Sequence, residues 1–105
     1  MVMVVIGGGC STYQSAPQQL PQEKIANAKL AIHKAEASRA QELAWQELNK
    51  AQKYLQQAQA AMSAEEYELA VRLAEKSLVE AKQAEANAEY EIAQQALQEI
   101  RRRQE

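Results

Sequence analysis

The length and composition of this chain allow one small domain with a thin core. Its 105 residues are 47% hydrophobic, but alanine supplies much of that fraction and buries little area per side chain. The net charge is -2, with acidic and basic residues mixed along the chain, so there is no electrostatic case for nucleic acid as a partner. A single cysteine excludes an internal disulfide.

Residues 1–9 are interpreted as the remnant of a lipoprotein signal peptide. The apolar run Val2–Ile6 and three consecutive glycines lead directly to Cys10, and the segment resembles a lipobox, in which small residues precede the cysteine that becomes acylated. No basic residue precedes Cys10 and the apolar run is short, departures that a start codon farther upstream would explain. The alternatives are a free reactive thiol at Cys10, or a terminus in which the cysteine is incidental.

Residues 10–21 are expected to form a lipidated cysteine followed by a linker. Serine, glutamine and the two prolines, Pro17 and Pro21, favour an extended tether. Ser11 in the second mature position resembles the residue found in lipoproteins that are sent on to the outer membrane. We therefore expect palmitate and further acyl chains on Cys10, which would hold the protein at the outer membrane, facing the periplasm.

Residues 22–104 are predicted to form an all-α domain. From Gln22 onwards the sequence contains no glycine and no proline, and strong helix formers dominate it. This composition is typical of long helices that pair as a coiled coil.

One turn is predicted at Ser63, where four local signals coincide. Ser63 as the N-cap and Glu66 three residues later make a capping box, while Met62 and Tyr67 make the matching hydrophobic staple. The turn divides the domain into helices at about 22–62 and 64–104. Two helices of equal length with a short connection predict an antiparallel, coiled-coil-like two-helix hairpin.

The apolar spacing of both helices supports this pairing, with one irregularity. Apolar residues alternate at intervals of three and four, the spacing of a coiled-coil seam. Folded about Ser63, the hairpin sets Ile32 near Ile100 at its far end. Between Ala37 and Trp45 the phase of the seam slips. The slip predicts a kink or stutter near residues 38–45 in a continuous first helix; the alternative is a break, which would give a three-helix arrangement.

Two stretches of the sequence resemble a known family. They are KIANAKLAIHKAEASRAQ and ELNKAQKYLQQAQAAMSAEEYELAVRLAEKSLVEAKQAEANAE, and together they are similar to the domain-of-unknown-function 4398 family over about residues 22–95. The resemblance implies an alanine-rich envelope lipoprotein, a class often followed by an OmpA-type peptidoglycan-binding domain, with no assigned activity. This chain has Trp45 where the family commonly has proline, and Ser63, Ala64 and Glu65 where it commonly has Gly-Asp.

Catalysis is not expected from these residues. The chain has one histidine and no aspartate, and its cysteine is the predicted acylation site, so the convergent nucleophiles and acids of an enzyme are not expected. His33, beside the seam residue Ile32, is more consistent with a solvated helix residue than with a ligand or base. No metal-binding spacing occurs, and no cofactor is expected.

Two aromatic residues are the candidate partner-binding positions, Trp45 and Tyr67. Trp45 lies one step off the apolar stripe and either fills space beside the bend or serves as an exposed anchor for a partner. Three consecutive arginines, Arg101–Arg103, complement the negative end of the helix dipole; alternatively they contact anionic lipid, because a hairpin returns them toward the tether.

The sequence thus favours a lipid-anchored, periplasmic helical scaffold or accessory protein of unknown specific role. Because an alanine core is thin, we expect self-association or an envelope protein partner. The alternative is a peptide- or protein-binding adaptor, since AEEYELAVRLAEKSL resembles a helix of a tetratricopeptide repeat. Stacked repeats need about three units, and a single one is recognisable here.

Overall fold

The computed structural model describes residues 18–104, and this part of the chain is almost entirely helical. Its helices are α1 (Gln19–Ala37), the short α2 (Ala40–Leu43), α3 (Trp45–Ser63) and α4 (Tyr67–Gln104). No strand occurs in these residues. The predicted all-α class is therefore confirmed for the described part, whereas residues 1–17, with the signal segment, Cys10 and most of the linker, lie outside it.

The three long helices lie side by side as a bundle. Lys24 Nζ is 3.2 Å from Glu75 Oε2, so α1 runs parallel to the first half of α4. Ser77 Oγ donates a hydrogen bond of 2.7 Å to the carbonyl oxygen of Ala51, which pairs the middle of α3 with α4 in the antiparallel sense. The chain passes along the bundle three times, and α4 makes contact with both other long helices.

The two-helix hairpin is not confirmed, because the predicted first helix is interrupted between Ser38 and Ala44. Arg39 has a φ of 66°, a left-handed conformation that ends a right-handed helix. After the four residues of α2, Ala44 departs from helical geometry again, with φ -148° and ψ 46°. The chain reverses here, so α1 packs beside the start of α4 and its Ile32 is not brought to Ile100. The phase slip in the apolar seam therefore corresponds to a break in the predicted first helix. The fold is the alternative arrangement, with three long helices.

The second connection falls next to the predicted turn, but its capping differs. Ser63 is the last residue of α3 and does not cap α4, so the predicted capping box with Ser63 as N-cap is wrong. Glu65 is left-handed, with a φ of 62°. Its N–H donates to the Met62 carbonyl at 3.0 Å, and the Glu66 N–H donates to the Ala61 carbonyl at 2.8 Å. These two bonds make a Schellman motif with glutamate in the position that usually holds glycine.

The core of the bundle is small and lined mostly by alanine. Its larger members are Ile25, Ile32 and Leu48, which lie in two clusters between the helices. Ser77 is fully buried where α4 crosses α3, and its hydroxyl is satisfied by the Ala51 carbonyl. Alanine and serine let the helix axes approach closely, but they contribute little apolar area each. The thin core expected from composition is confirmed.

Helix α4 is twice as long as its neighbours and extends past them. It has 38 residues, against 19 in α1 and 19 in α3. The last buried residue of α4 is Ala88. Residues 89–104, called the overhang below, continue for about 24 Å at the rise of an α-helix. The bundle therefore has one end where a single helix projects alone.

Candidate interaction surface

Trp45 stands at the end of the bundle from which the overhang projects. It is the first residue of α3, directly after the break, and its neighbours on the apolar stripe, Ala44 and Leu48, are buried. Trp45 itself remains 58% exposed. The side chain therefore does not fill the core beside the break, and the alternative of an exposed anchor fits its position.

A cleft of about 330 Å³ opens between Trp45 and Tyr90 at the base of the overhang. Tyr90 is 62% exposed, and the carboxylates of Glu47 and Glu91 line the same cleft together with Asn87. Aromatic faces attract cations, and carboxylates accept hydrogen bonds from guanidinium or ammonium groups. The cleft is therefore suited chemically to a cationic or aromatic side chain.

Tyr67, the second predicted partner-binding residue, lies at the opposite end of the bundle. It begins α4, is half-buried, and its hydroxyl oxygen accepts a hydrogen bond of 3.4 Å from Gln18 Nε2. Helix α3 separates Trp45 from Tyr67 by about 28 Å. The two aromatic residues do not form one site, and the hydroxyl of Tyr67 contacts the residue that immediately precedes α1.

The overhang carries an apolar face that sequence reasoning did not identify as a surface. Ala93, Ala96, Leu97 and Ile100 recur at the spacing i, i+3, i+4, i+7, so they share one side of the helix. Leu97 is 41% exposed and Ile100 is 52% exposed. The hairpin prediction had assigned two of these positions, Ala96 and Ile100, to pairing with the first helix. One signal was present: beyond Ala88 the line that faces the core keeps an apolar neighbour at Ile92 but is otherwise polar, with residues Glu91, Gln95, Glu99 and Arg102.

The arginines at the end of α4 lie at the tip of the overhang. Arg102 Nη2 donates to Glu99 Oε1 at 2.6 Å, and all three arginines stand in the last turn, where they complement the helix dipole. Tyr67, which contacts Gln18, is about 53 Å away along α4. The expectation that these arginines return toward the tether followed from the hairpin and is wrong.

The remaining candidate residues form no further site in the part of the chain that is described. His33 is exposed, with Nδ1 3.6 Å from Glu36 Oε1. Across residues 18–104, no cluster of three or more histidine, cysteine or acidic side chains is placed to hold a metal ion. None of the helices in this range combines the length and hydropathy that a membrane span needs.

These features define the class of protein, which is an all-α bundle with an alanine-lined core. Several of its exposed large apolar side chains lie together at one end. The domain of unknown function DUF4398 has a family model that matches residues 23–100. The chain belongs to the DUF4398 family, which confirms the resemblance carried by the alanine-rich motifs. No curated protein and no solved structure matches the chain.

Proposed function

We propose that this protein is a non-catalytic helical scaffold or accessory protein of the cell envelope, anchored by lipid and facing the periplasm from the outer membrane. The observation that carries the scaffold role is a group of exposed apolar side chains at one end of the bundle. The group includes Trp45, Tyr90, Leu97 and Ile100. Such a surface serves contact with another macromolecule. The specific role within the envelope depends on that partner.

The anchoring part of the proposal rests on Cys10 and the residues around it. Small and apolar residues precede Cys10, and a polar segment that includes Pro17 follows it. Residues 11–18 would tether α1 to the acylated cysteine over at most about 28 Å. Acyl chains on one cysteine, taken together, hold a protein at a bilayer far more firmly than a single chain does.

The anchor is tested by intact mass spectrometry of the protein extracted from the membrane fraction. We expect a chain that begins at Cys10 and carries three acyl groups, with residues 1–9 removed. The matched control is Cys10→Ser, which should carry no acyl group and keep residues 1–9. An unmodified chain that contains residues 1–9 and is recovered away from the membrane would contradict the proposal.

A second candidate function is a peptide-binding adaptor, and the cleft beside Trp45 favours it. Exposed tryptophan beside carboxylates is a typical anchor site for a short segment that carries a basic residue. Peptides selected on the immobilised protein should lose binding in Trp45→Ala and keep it in Val79→Ala, which alters an exposed residue outside the cleft. Equal binding by both variants would contradict this function.

A further inference from the structure

We propose that the overhang is a dimerisation element, which pairs in the antiparallel sense with the overhang of a second copy of this chain. The inference deepens the proposed function, in which the exposed apolar side chains contact another macromolecule, and it rests on the self-association that the thin core leads us to expect. It assigns that self-association to residues 89–104 and gives it an orientation.

The apolar face of the overhang is separate from the core of the bundle. Its residues, Ala93, Ala96, Leu97 and Ile100, are rotated by about a third of a turn from the line of α4 that faces α1 and α3. The face therefore does not continue the bundle core, and a longer α1 or α3 would not cover it. Leu97 and Ile100 expose 41% and 52% of their surface. A helix with such a stripe packs stably against another helix.

The charges along α4 select a second copy, in the antiparallel sense. Three glutamates lie near the base of the overhang and three arginines at its tip: Glu85, Glu89 and Glu91, then Arg101, Arg102 and Arg103. Glu99 also stands at the tip, beside Arg102 and Arg103, and leaves the tip with a net positive charge. A parallel pair would place like charges side by side. An antiparallel pair sets each arginine tip against the glutamate base of the other copy, and it does so twice because the contact is two-fold symmetric.

The apolar residues fit the same orientation. Centring the pair on Ala96 and Leu97 sets Ala93 against Ile100 of the second copy. Each large side chain then faces a small one, so the two helices can interdigitate closely. The arrangement is self-complementary, as a closed dimer requires.

This register also fills the cleft at the base of the overhang. Arg101 flanks the apolar face on the side of Tyr90, and it comes beside Tyr90 and Trp45 of the second copy. Arg103 flanks the other side and comes beside Glu89 of the second copy. In the single chain Arg103 Nε is 3.5 Å from Glu99 Oε2. An exposed ion pair of this kind contributes little to stability, so Arg103 can exchange Glu99 for Glu89 of the second copy.

The overhang is joined to a helix that is already formed, so it needs no nucleation of its own. In proteins, however, most helical stability comes from the tertiary packing of an amphipathic face. Pairing supplies the tertiary packing that its amphipathic face lacks. The interface is small by the standard of about 1,000 Å² for a stable complex, so we expect a reversible dimer whose population rises with protein concentration.

Sedimentation velocity of the full chain with Cys10→Ser, over a wide concentration range, tests the proposal. We expect a monomer–dimer equilibrium. Leu97→Glu should weaken it by at least about a hundredfold, because each dimer loses two buried leucines and gains two buried charges. The matched control is Val79→Glu, the same kind of change on the same helix at a position 63% exposed outside the overhang, and it should leave the dimer intact.

Charge exchange tests the antiparallel register. Arg103→Glu and Glu89→Arg should each weaken the homodimer, since each sets like charges together twice. A mixture of the two variants should form a heterodimer about as well as the parent chain, because both contacts in it are of opposite sign. Failure of the mixture to recover would overturn the register, and preferential disulfide formation between two Ala93→Cys chains would show parallel pairing instead.

The outcomes separate this inference from the self-association on which it rests. A parent chain that stays monomeric throughout overturns both. A dimer that resists Leu97→Glu overturns the overhang as its interface and leaves self-association standing. A monomer that binds vesicles of anionic phospholipid through Leu97 makes the face a lipid contact and overturns the dimer.

Discussion

The left-handed residue between α3 and α4 predicts that a glycine substitution will stabilise this protein. Glu65 has a φ of 62° at the Schellman position that most helices fill with glycine. The Cβ of any other L-residue costs about 1–2 kcal/mol there. Glu65→Gly removes that cost and keeps both backbone hydrogen bonds of the turn, since the donors are backbone N–H groups.

Two effects reduce the gain. Glycine has more freedom in the unfolded chain, which costs about 0.5–1 kcal/mol. Loss of the negative charge near the start of α4 costs a few tenths of a kcal/mol at moderate salt. Measured against Glu65→Gln, which removes the charge alone, glycine should raise the free energy of unfolding by about 0.5–1 kcal/mol.

The assay is urea denaturation followed by circular dichroism at 222 nm, a wavelength that reports helix, together with a thermal melt. The midpoint should rise without a change in m-value, and the Tm should rise by about 2–8 °C relative to Glu65→Gln. The control is Ala64→Gly at the preceding residue, where φ is -87° and glycine has no strain to relieve. That variant should lose stability.

If Glu65→Gly were destabilised by as much as Ala64→Gly, the left-handed conformation of residue 65 would be wrong. The Schellman connection between α3 and α4 would then be wrong with it. Equal stability of Glu65→Gly and Glu65→Gln would mean that the conformational gain is cancelled in the unfolded state.

Three further predictions follow from burial. Ser77→Val should destabilise the fold by about 1–3 kcal/mol in urea, because the added methyl groups meet Ala51 at a fully buried crossing; a neutral result would contradict that packing. Trp45, the sole tryptophan, should be readily quenched by the neutral quencher acrylamide in the monomer and protected in the dimer; protection at all concentrations would contradict its exposure. Backbone amides after Ala88 should exchange with deuterium faster than those of residues 70–88, and uniform protection along α4 of the monomer would contradict the unpartnered overhang.

The sequence was sufficient for the all-α class and for the turn near Ser63. It marked an irregularity near residues 38–45, but it did not show that the chain reverses there. The chain has no glycine after residue 9, so its composition does not indicate where a helix ends. The phase slip after Ala37 is equally compatible with a stutter in one helix and with a break between two. The break forms because Arg39 takes the left-handed conformation, at a cost of about 1–2 kcal/mol. Packing α1 against two other helices offsets that cost, and such a gain cannot be read from local propensity.

The candidate surface was predictable only in part. Trp45 was singled out, but its distance of one step from the apolar stripe was equally compatible with a residue that fills space beside the bend, and the structure leaves it exposed. Tyr90 was missed because it was not singled out opposite Trp45, although the turn between α3 and α4 is what brings the two together. The contact of Tyr67 with Gln18 depends instead on the reversal near Arg39, since a three-helix arrangement returns the start of α1 to the turn before α4.

Because the chain runs along the bundle three times, the bundle has a mechanical property that a two-helix hairpin lacks. The chain enters at Gln19 and leaves at Gln104 by opposite ends, so whatever is joined at one end is held apart from whatever is joined at the other. The separation is set by the rise of α4 and resists compression, unlike that of a flexible linker. Inserting seven residues into the overhang would advance its tip by about 10 Å without disturbing the core, so the length of the spacer can change independently of its stability.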